Sequence, residues 1–383
     1  MSVAAAQQST GRILLIAYHF PPSSAVGGLR AANFARCLRA FGWEPHVLTI
    51  RDRDMAQIDR SRERWLDGIT IHHAAVLPTI EGLYSAAIRR WRRNRRLTLP
   101  SAAGPVATAS PNGKRTETLK QRVKRYILSM LALPDRERGW LPTAVIGAVT
   151  RIRRHRMGWI MTSCPPYSVH VVGVIVKRLT GVKWIADFRD PWMTTGSKRL
   201  FPTSALSLAI ERWLERRVIE RADLVVFNVE RLRNAYRDRY RTVPRGKLVF
   251  IPNAVSSRAV PDRTAAPKYD RFTLTYTGSL YLGRSPEPVF KALATLIAEG
   301  RLAPNGARLV LAGQCDNIEG VPTLTVAGAY GLENMVEVQG TVSYEAAMEN
   351  SASPVTQEYA GKMMALGEGP PTFYNLDVLD DRS

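Results

Sequence analysis

The stretch "WIADFRDPW", from Trp184 to Trp192, places two carboxylates and a guanidinium in one short run. Side chains alternate across a strand, so Asp187 and Arg189 share a face if the strand continues, with Asp190 opposite. Pro191 holds Asp190 extended and stops the strand. Buried charge is costly unless it is paired or at work. One reading is a carboxylate–arginine pair lidded by Trp192. The other is a carboxylate exposed at a cleft, its acidity tuned by the neighbouring guanidinium.

Two further motifs stand at strand ends. "PPSSAVGGLR" sets Gly27 and Gly28 at a helix start, where close backbone approach, free N–H groups and the dipole suit a phosphate. It is neither the dinucleotide fingerprint nor a P-loop, and a Gly-Gly pair here also serves as a plain turn. "TSCPPYSVH" offers Tyr167, Ser168 and His170 to a cleft; the alternative is a helix entry capped by Ser168, with His170 packed or on the helix surface.

The elements that must position these motifs alternate. "RILLIAY" is a continuous apolar run and reads as a buried strand. "LRAANFARCLRAFG" carries Leu29, Ala32, Phe34, Ala35, Leu38 and Phe41 near helical spacing until Gly42, and "EPHVLTI" is the next strand. Strand, helix, strand over this length builds a parallel sheet. The pattern returns with strands "WIMTSC", "KWIADF", "DLVVFN" and "KLVFIPN". Helices over Ser168–Leu179, about Ala205–Arg221 and about Glu230–Tyr240 separate them.

A Pro/Ala/Arg-rich connector, "IPNAVSSRAVPDRTAAPKYD", precedes a second alternation: strand "FTLTYTG", helix "PEPVFKALATLIAEG", strands "ARLVLAG" and "MVEVQG", helix "SYEAAMEN". The expected organisation is α/β in two domains, 11–258 and 268–383. A basic insertion interrupts the first at about 81–140, and the second is atypical after about 350. Ligand loops belong at the carboxyl ends of the strands.

The chain of 383 residues is long enough for two such cores. Cys37, Cys164 and Cys315 have no paired spacing, which argues against disulfides or a zinc site and fits a reducing cytosol. His72 and His73 are adjacent and would face opposite sides of a strand, so no metal site is expected. No signal-type N-terminus and no run of eighteen apolar residues is present, which predicts a soluble or peripheral protein.

The formal charge is +21, and it is concentrated. Between Ala86 and Ile160 eighteen Lys and Arg face only Glu117, Asp135 and Glu137, which is fifteen of the twenty-one net charges. Such a field implies an anionic partner. One aromatic, Trp91, and no recognised binding module argue against nucleic acid. Leu83, Tyr84, Ile88 and Trp91 form an apolar stripe flanked by arginines. Leu119, Val123, Tyr126, Ile127, Met130 and Leu131 repeat that design beside Lys120, Arg122, Lys124 and Arg125, which suits an anionic membrane surface.

Taken together, "YHFPPSSAVGGLRAANFARCLRAFGWEPHVLT", "TSCPPYSVHVVGVIVKRLTGVKWIADFRDPW", "RADLVVFNVERLRNAYRDRY", "LTYTGSLYLGRSPEPVFKAL" and "RLVLAGQ" resemble family 4 glycosyltransferases. The likeness is closest to the bacterial branch that builds surface and capsular polysaccharides, and covers roughly residues 11 to 345. It implies a GT-B architecture, two Rossmann-like domains facing a cleft, with acceptor on the first and nucleotide-sugar on the second.

It also implies sugar transfer with retention, without metal or cofactor, to a saccharide or lipid-linked saccharide acceptor. The setting would be cytoplasmic, on the inner face of the cytoplasmic membrane. Gly27, Gly28, Ser279 and Arg284 would approach the donor diphosphate, with Ser279 standing where many members carry arginine. Tyr167, Ser168 and Arg189 would line the acceptor side, Arg189 balancing the carboxylates, and Asp187 or Asp190 would act on the incoming hydroxyl.

The tail departs from the family pattern after about Asn350. Glu358 and Glu368 stand ten apart rather than at the family's spacing, so the second domain reads as incomplete. A degenerate GT-B protein that binds membrane or partners is the alternative, and a nucleotide-sugar epimerase is disfavoured by the acceptor-side motifs.

Overall fold

The computed structural model describes residues 11–79, 126–131, 133–193, 203–254, 271–280 and 284–351. The basic stretch from 80 to 125 and the tail from 352, with Glu358 and Glu368, lie outside the described residues. Those up to Ala254 form one compact unit, and those from Arg271 belong to a second.

In the first unit seven strands make one sheet: β1 Gly11–Ile16, β2 Trp43–Ile50, β3 Thr70–Ala74, β4 Trp159–Cys164, β5 Lys183–Phe188, β6 Leu224–Phe227 and β7 Leu248–Phe250. Their order is β3-β2-β1-β4-β5-β6-β7, and every pairing is parallel. The helices of this unit include α1 Gly27–Ala40, α2 Leu141–His155, α3 Ser168–Thr180, α4 Ala205–Arg221 and α5 Glu230–Arg239.

A continuous apolar strand follows from burial on both faces, and β1 is covered that way. Ile13 and Leu15 pack with Ala31, Ala32 and Ala35 of α1. Leu14 and Ile16 share a core with Trp140 and with Ala144, Ala148 and Ile152 of α2. The alanines let α1 lie close to the sheet. On α3, Gly173 does the same for Trp184, since a Cβ there would stand 2.5 Å from the indole. A Ser204–Ser207 capping box starts α4.

The chain leaves β1 for β2 and β3 on one side, then returns to place β4 on the other. The carboxyl ends of β1 and β4 therefore form a topological switch point, where open parallel sheets hold their ligands.

The second unit has β8 Phe272–Thr277, β9 Ala307–Ala312 and β10 Val336–Gly340, parallel in the order β10-β9-β8. Its helices α6 Glu287–Ala298 and α8 Tyr344–Ser351 follow the strand–helix order read from the sequence, and the short α7 Thr323–Gly328 between β9 and β10 is an addition to it. Its own core gathers Phe290, Leu293, Leu309, Leu311, Leu332 and Met335. Among the described residues no helix is long and apolar enough to cross a membrane. The histidines, which show no ligand spacing along the chain, do converge in space: His46, His72 and His155 come from three separate elements.

Candidate active site

The loops after β1, β4 and β5 meet at the switch point, and a buried ion pair binds them together. Arg30, in the first turns of α1, donates from Nε to both oxygens of Asp187 at 3.0 and 3.1 Å, and from Nη2 to Oδ1 at 2.9 Å. Nη2 also reaches Ile251 O at 2.8 Å, while Nη1 donates to Pro252 O and Asn253 Oδ1, both at 3.0 Å. These contacts occupy all five guanidinium donors. Ser163 at the end of β4 donates to Asp187 Oδ2 at 2.7 Å.

Asp187 is fully buried and Arg30 nearly so. The expected balance between Arg189 and the carboxylates is therefore different for Asp187, whose cation is Arg30. Asp187 follows Ile185 on the face that packs against α1, which is why a helix residue reaches it first. With its oxygens taken by Arg30 and Ser163, it positions the loops around it.

Arg189 lies on the same side, against the start of α1. It donates from Nε to Cys164 O at 2.7 Å and from Nη2 to Pro165 O at 2.5 Å, holding the loop after β4. Any side chain at Gly27 would collide with this guanidinium, and a Cβ at Gly28 would stand 3.1 Å from the backbone of Phe20. The two glycines thus let α1 start directly beneath the β1 loop. The first turn of α1 carries no acidic residue and no side-chain cap, so its N-terminal dipole is left uncompensated by acids of its own.

Asp190 is exposed, one residue beyond Arg189. Tyr167 stacks on Trp192 with ring centroids 4.8 Å apart, and its hydroxyl donates to Pro191 O at 2.8 Å. Burial pushes the Tyr167 phenol far above its ordinary range. Trp192 is fixed in turn by Glu211, which accepts from its Nε1 at 3.1 Å. Tyr167 is a wall, and its hydroxyl braces the turn that presents Asp190.

Ser168 does not cap its own helix through its side chain. Asp135 caps it instead, accepting from Ser168 N at 2.7 Å and from Glu137 N at 3.1 Å. Burial pushes the Asp135 carboxyl up to about 6. His170 is a packed histidine: Thr162 Oγ1 accepts from Trp184 Nε1 at 2.8 Å and shares a hydrogen bond with His170 Nδ1 at 2.8 Å, and the Phe188 ring centroid lies 4.5 Å from that of His170. Burial holds His170 down to about 3.

His19, in the loop after β1, is pushed down to about 4 by burial and then by the Arg189 charge, so it is a neutral imidazole at the switch point. Sequence reasoning passed over Arg30, His19 and Asp135. Arg30 carried a signal: a cation near a helix N-terminus opposes the dipole and calls for an anion nearby.

In the second unit the carboxyl edge of the sheet is glycine-lined. Gly313 N donates to Gly340 O at 2.7 Å, and Gly278 N to Ala312 O at 2.9 Å. Gly313, with φ +137°, has no room for a Cβ, which would collide with Gly278 O. Ser279 follows directly, half-buried, and its carbonyl accepts from the Tyr276 hydroxyl at 3.1 Å. Arg284 is half-buried two residues before Pro286, where α6 begins. Ser279 and Arg284 thus both stand in the loop leaving β8, at the edge where a parallel sheet takes its ligands.

No curated protein matches the sequence. Among solved structures, a glycosyltransferase from Rickettsia africae is similar at 10% identity and a TM-score of 0.49, over 90% of this chain and 71% of that one. The catalytic domain of starch synthase IV from Arabidopsis thaliana, bound to ADP and acarbose, is similar at 8% identity and a TM-score of 0.48, over 90% and 76%. A lipopolysaccharide outer core galactosyltransferase gives 12% and 0.44, over 91% and 77%. At these values no residue role is carried across. The profile of the glycosyl transferase 4-like domain matches residues 27–254, more than half of the sequence and nearly all of the first unit beyond its opening strand and loop, and on that match the chain belongs to the glycosyl transferase 4-like family.

Proposed function

We propose that the protein moves a sugar from a nucleotide-sugar to a saccharide or lipid-linked saccharide acceptor with retention of configuration. The acceptor sits at the switch point of the first unit and the donor at the carboxyl edge of the second. The observation that carries this reading is the joining of the β1, β4 and β5 loops by Arg30, Asp187 and Arg189 within the segment that matches the family.

In this reading the acceptor oxygen bonds to the anomeric carbon on the same face from which the diphosphate departs, which keeps the configuration, and the electron pair of the broken bond leaves with the phosphate. Asp190, which is exposed, orients the incoming hydroxyl and takes its proton, whereas Asp187 is fully buried and out of a substrate's reach. The leaving diphosphate needs preorganised donors. Arg284, Ser279 and the glycine-lined edge serve that role on the second unit, and the Gly27–Gly28 helix start offers N–H groups of the same kind on the first.

The acceptor is at a membrane surface. Tyr126, Ile127 and Leu128 are 45%, 50% and 38% exposed, three consecutive apolar side chains directly after the basic stretch. Polysaccharide assembly on the inner face of the cytoplasmic membrane fits that combination.

The test is calorimetric titration of the chelator-dialysed protein with UDP-, GDP- and other nucleotide-sugars. Saturable binding of one of them, weakened at least tenfold by Arg284→Ala, supports the reading. A folded sample that binds none of the panel overturns it.

A further inference from the structure

We infer that His46, His72 and His155 form a binding site for one transition-metal dication of the zinc class, on the first unit and away from the switch point. The three side chains reach one place from three elements. His46 and His72 point to the face of the sheet covered by α2, as Leu48 and Ala74 do on the same strands. Helix α2 begins beside Trp140, which packs on Tyr18 just past the carboxyl end of β1. It therefore runs back across the sheet, and its last residue, His155, arrives over the amino-terminal half of β2. One ligand nitrogen from each of the three lies within 4.8 Å of the others.

The spacing suits an ion. His46 Nδ1 and His72 Nε2 are 3.1 Å apart. Two nitrogens about 2 Å from one tetrahedral ion stand about 3.3 Å apart, so little movement is needed to admit one. The His155 ring centroid is 4.8 Å from that of His46 and 5.8 Å from that of His72, which closes a third side. His72 and His155 are only half-buried, leaving solvent access for a fourth ligand.

The surroundings set the tautomer. Glu44 accepts from His46 Nε2 at 3.1 Å, which fixes the proton there and turns the Nδ1 lone pair towards His72. A carboxylate on the far nitrogen of a ligating imidazole is the usual support of a metal-bound histidine. Arg12 holds the frame, donating to Glu44 Oε2 at 2.7 Å and to His155 O at 3.2 Å, and so ties the end of α2 to β2. Without an ion the two imidazoles share one hydrogen bond, with His72 donating. With an ion, His72 carries its proton on Nδ1 and Nε2 becomes a ligand. Nearby Arg151 opposes any dication, and the choice of ion rests on the donors: three neutral imidazoles favour a borderline ion such as Zn²⁺ over a hard one such as Mg²⁺.

The site is tested with tag-free, chelator-dialysed full-length protein carrying Cys37→Ser, which removes the exposed thiol. Calorimetric titration with zinc chloride is expected to show one ion per chain, and cobalt(II) to give the visible spectrum of a tetrahedral site without a thiolate band. His72→Ala and His155→Ala should each weaken zinc at least tenfold, and Glu44→Gln about tenfold. His73→Ala, whose ring instead faces Ile50 O, should leave the affinity unchanged. Circular dichroism identifies the variants that fold, and His155→Ala, at a helix end, is the least demanding of them. No binding, or binding unaltered in folded His155→Ala, overturns the proposal. The readout needs neither donor nor acceptor, so its failure leaves the transferase reading untouched.

Discussion

Arg30 and Asp187, 157 positions apart in the chain, form a fully hydrogen-bonded buried pair that ties α1 to the carboxyl end of β5. The same guanidinium holds the chain at Ile251, Pro252 and Asn253 just beyond β7, and Ser163 brings in β4. Removing one partner of such a pair leaves an uncompensated charge, which costs about 3–5 kcal/mol. Arg30→Met and Asp187→Leu are each expected to lose stability on that scale in urea unfolding. The double variant should lose less than the sum, because it buries no lone charge. Strictly additive losses would mean that the two residues are not coupled.

Asp190 gives the contrasting case. It is exposed where Asp187 is fully buried, so Asp190→Asn should cost far less stability in urea unfolding than Asp187→Leu. Under the proposed role it should lower transfer by about 10²- to 10⁴-fold, the usual worth of a positioned general base, with nucleotide-sugar binding unchanged. Normal turnover in Asp190→Asn would remove it from the reaction.

Docking to lipid is expected to depend on the apolar run as well as on charge. Basic residues near an anionic surface contribute about 1 kcal/mol each and are screened by salt. The buried part of Tyr126 and Ile127 on a membrane is not. Co-sedimentation with vesicles containing anionic phosphatidylglycerol should weaken in Tyr126→Ser/Ile127→Ser, most clearly at high salt. Equal retention of parent and variant at every salt concentration would exclude these residues from docking.

The second unit has its own sensitive point. At Gly313 a methyl group meets Gly278 O, and the backbone adopts a φ that L residues rarely take. Gly313→Ala should therefore cost about 3 kcal/mol or more, separating the ends of β8 and β9. Nucleotide-sugar binding should fall with it, while the first unit keeps its melting transition. An unperturbed titration would mean that this edge is not where the donor is held.

The α/β alternation was legible because continuous apolar strands and 3.6-period helices are local patterns, and β1, α1 and β2 follow them closely. That the two motifs stand at strand ends was legible as well, since Pro191 and the Pro165–Pro166 pair stop their elements within the sequence itself. Partnerships were not. Which cation meets Asp187 depends on α1 crossing the face that Ile185 occupies, and "WIADFRDPW" offers only its own Arg189. Likewise Ser168 reads as its own cap, while the actual acceptor, Asp135, stands 33 positions earlier. His46, His72 and His155 have no spacing that signals a cluster, because three elements must pack before they share a point.

Asp135 supplies a pH test of this long-range cap. Burial raises its folded carboxyl from an ordinary 3.8 to about 6. Between those values the folded state holds a proton that the unfolded chain has released, so stability falls as pH rises from about 4 to about 6, then levels. Two pH units correspond to about 3 kcal/mol. His170 acts with the opposite sign: its folded value is depressed from 6.5 to about 3, so its contribution is lost as pH falls through that range. The whole-protein curve mixes the two, and the informative quantity is the difference between parent and Asp135→Asn. That variant keeps an amide oxygen for one of the two N–H groups and cannot titrate, while His170 is unchanged. Urea unfolding at pH 4, 5, 6 and 7 should show the deficit of Asp135→Asn largest at pH 4 and shrinking towards pH 6. A deficit independent of pH would mean that Asp135 is ionised throughout in the folded protein and caps α3 as a carboxylate.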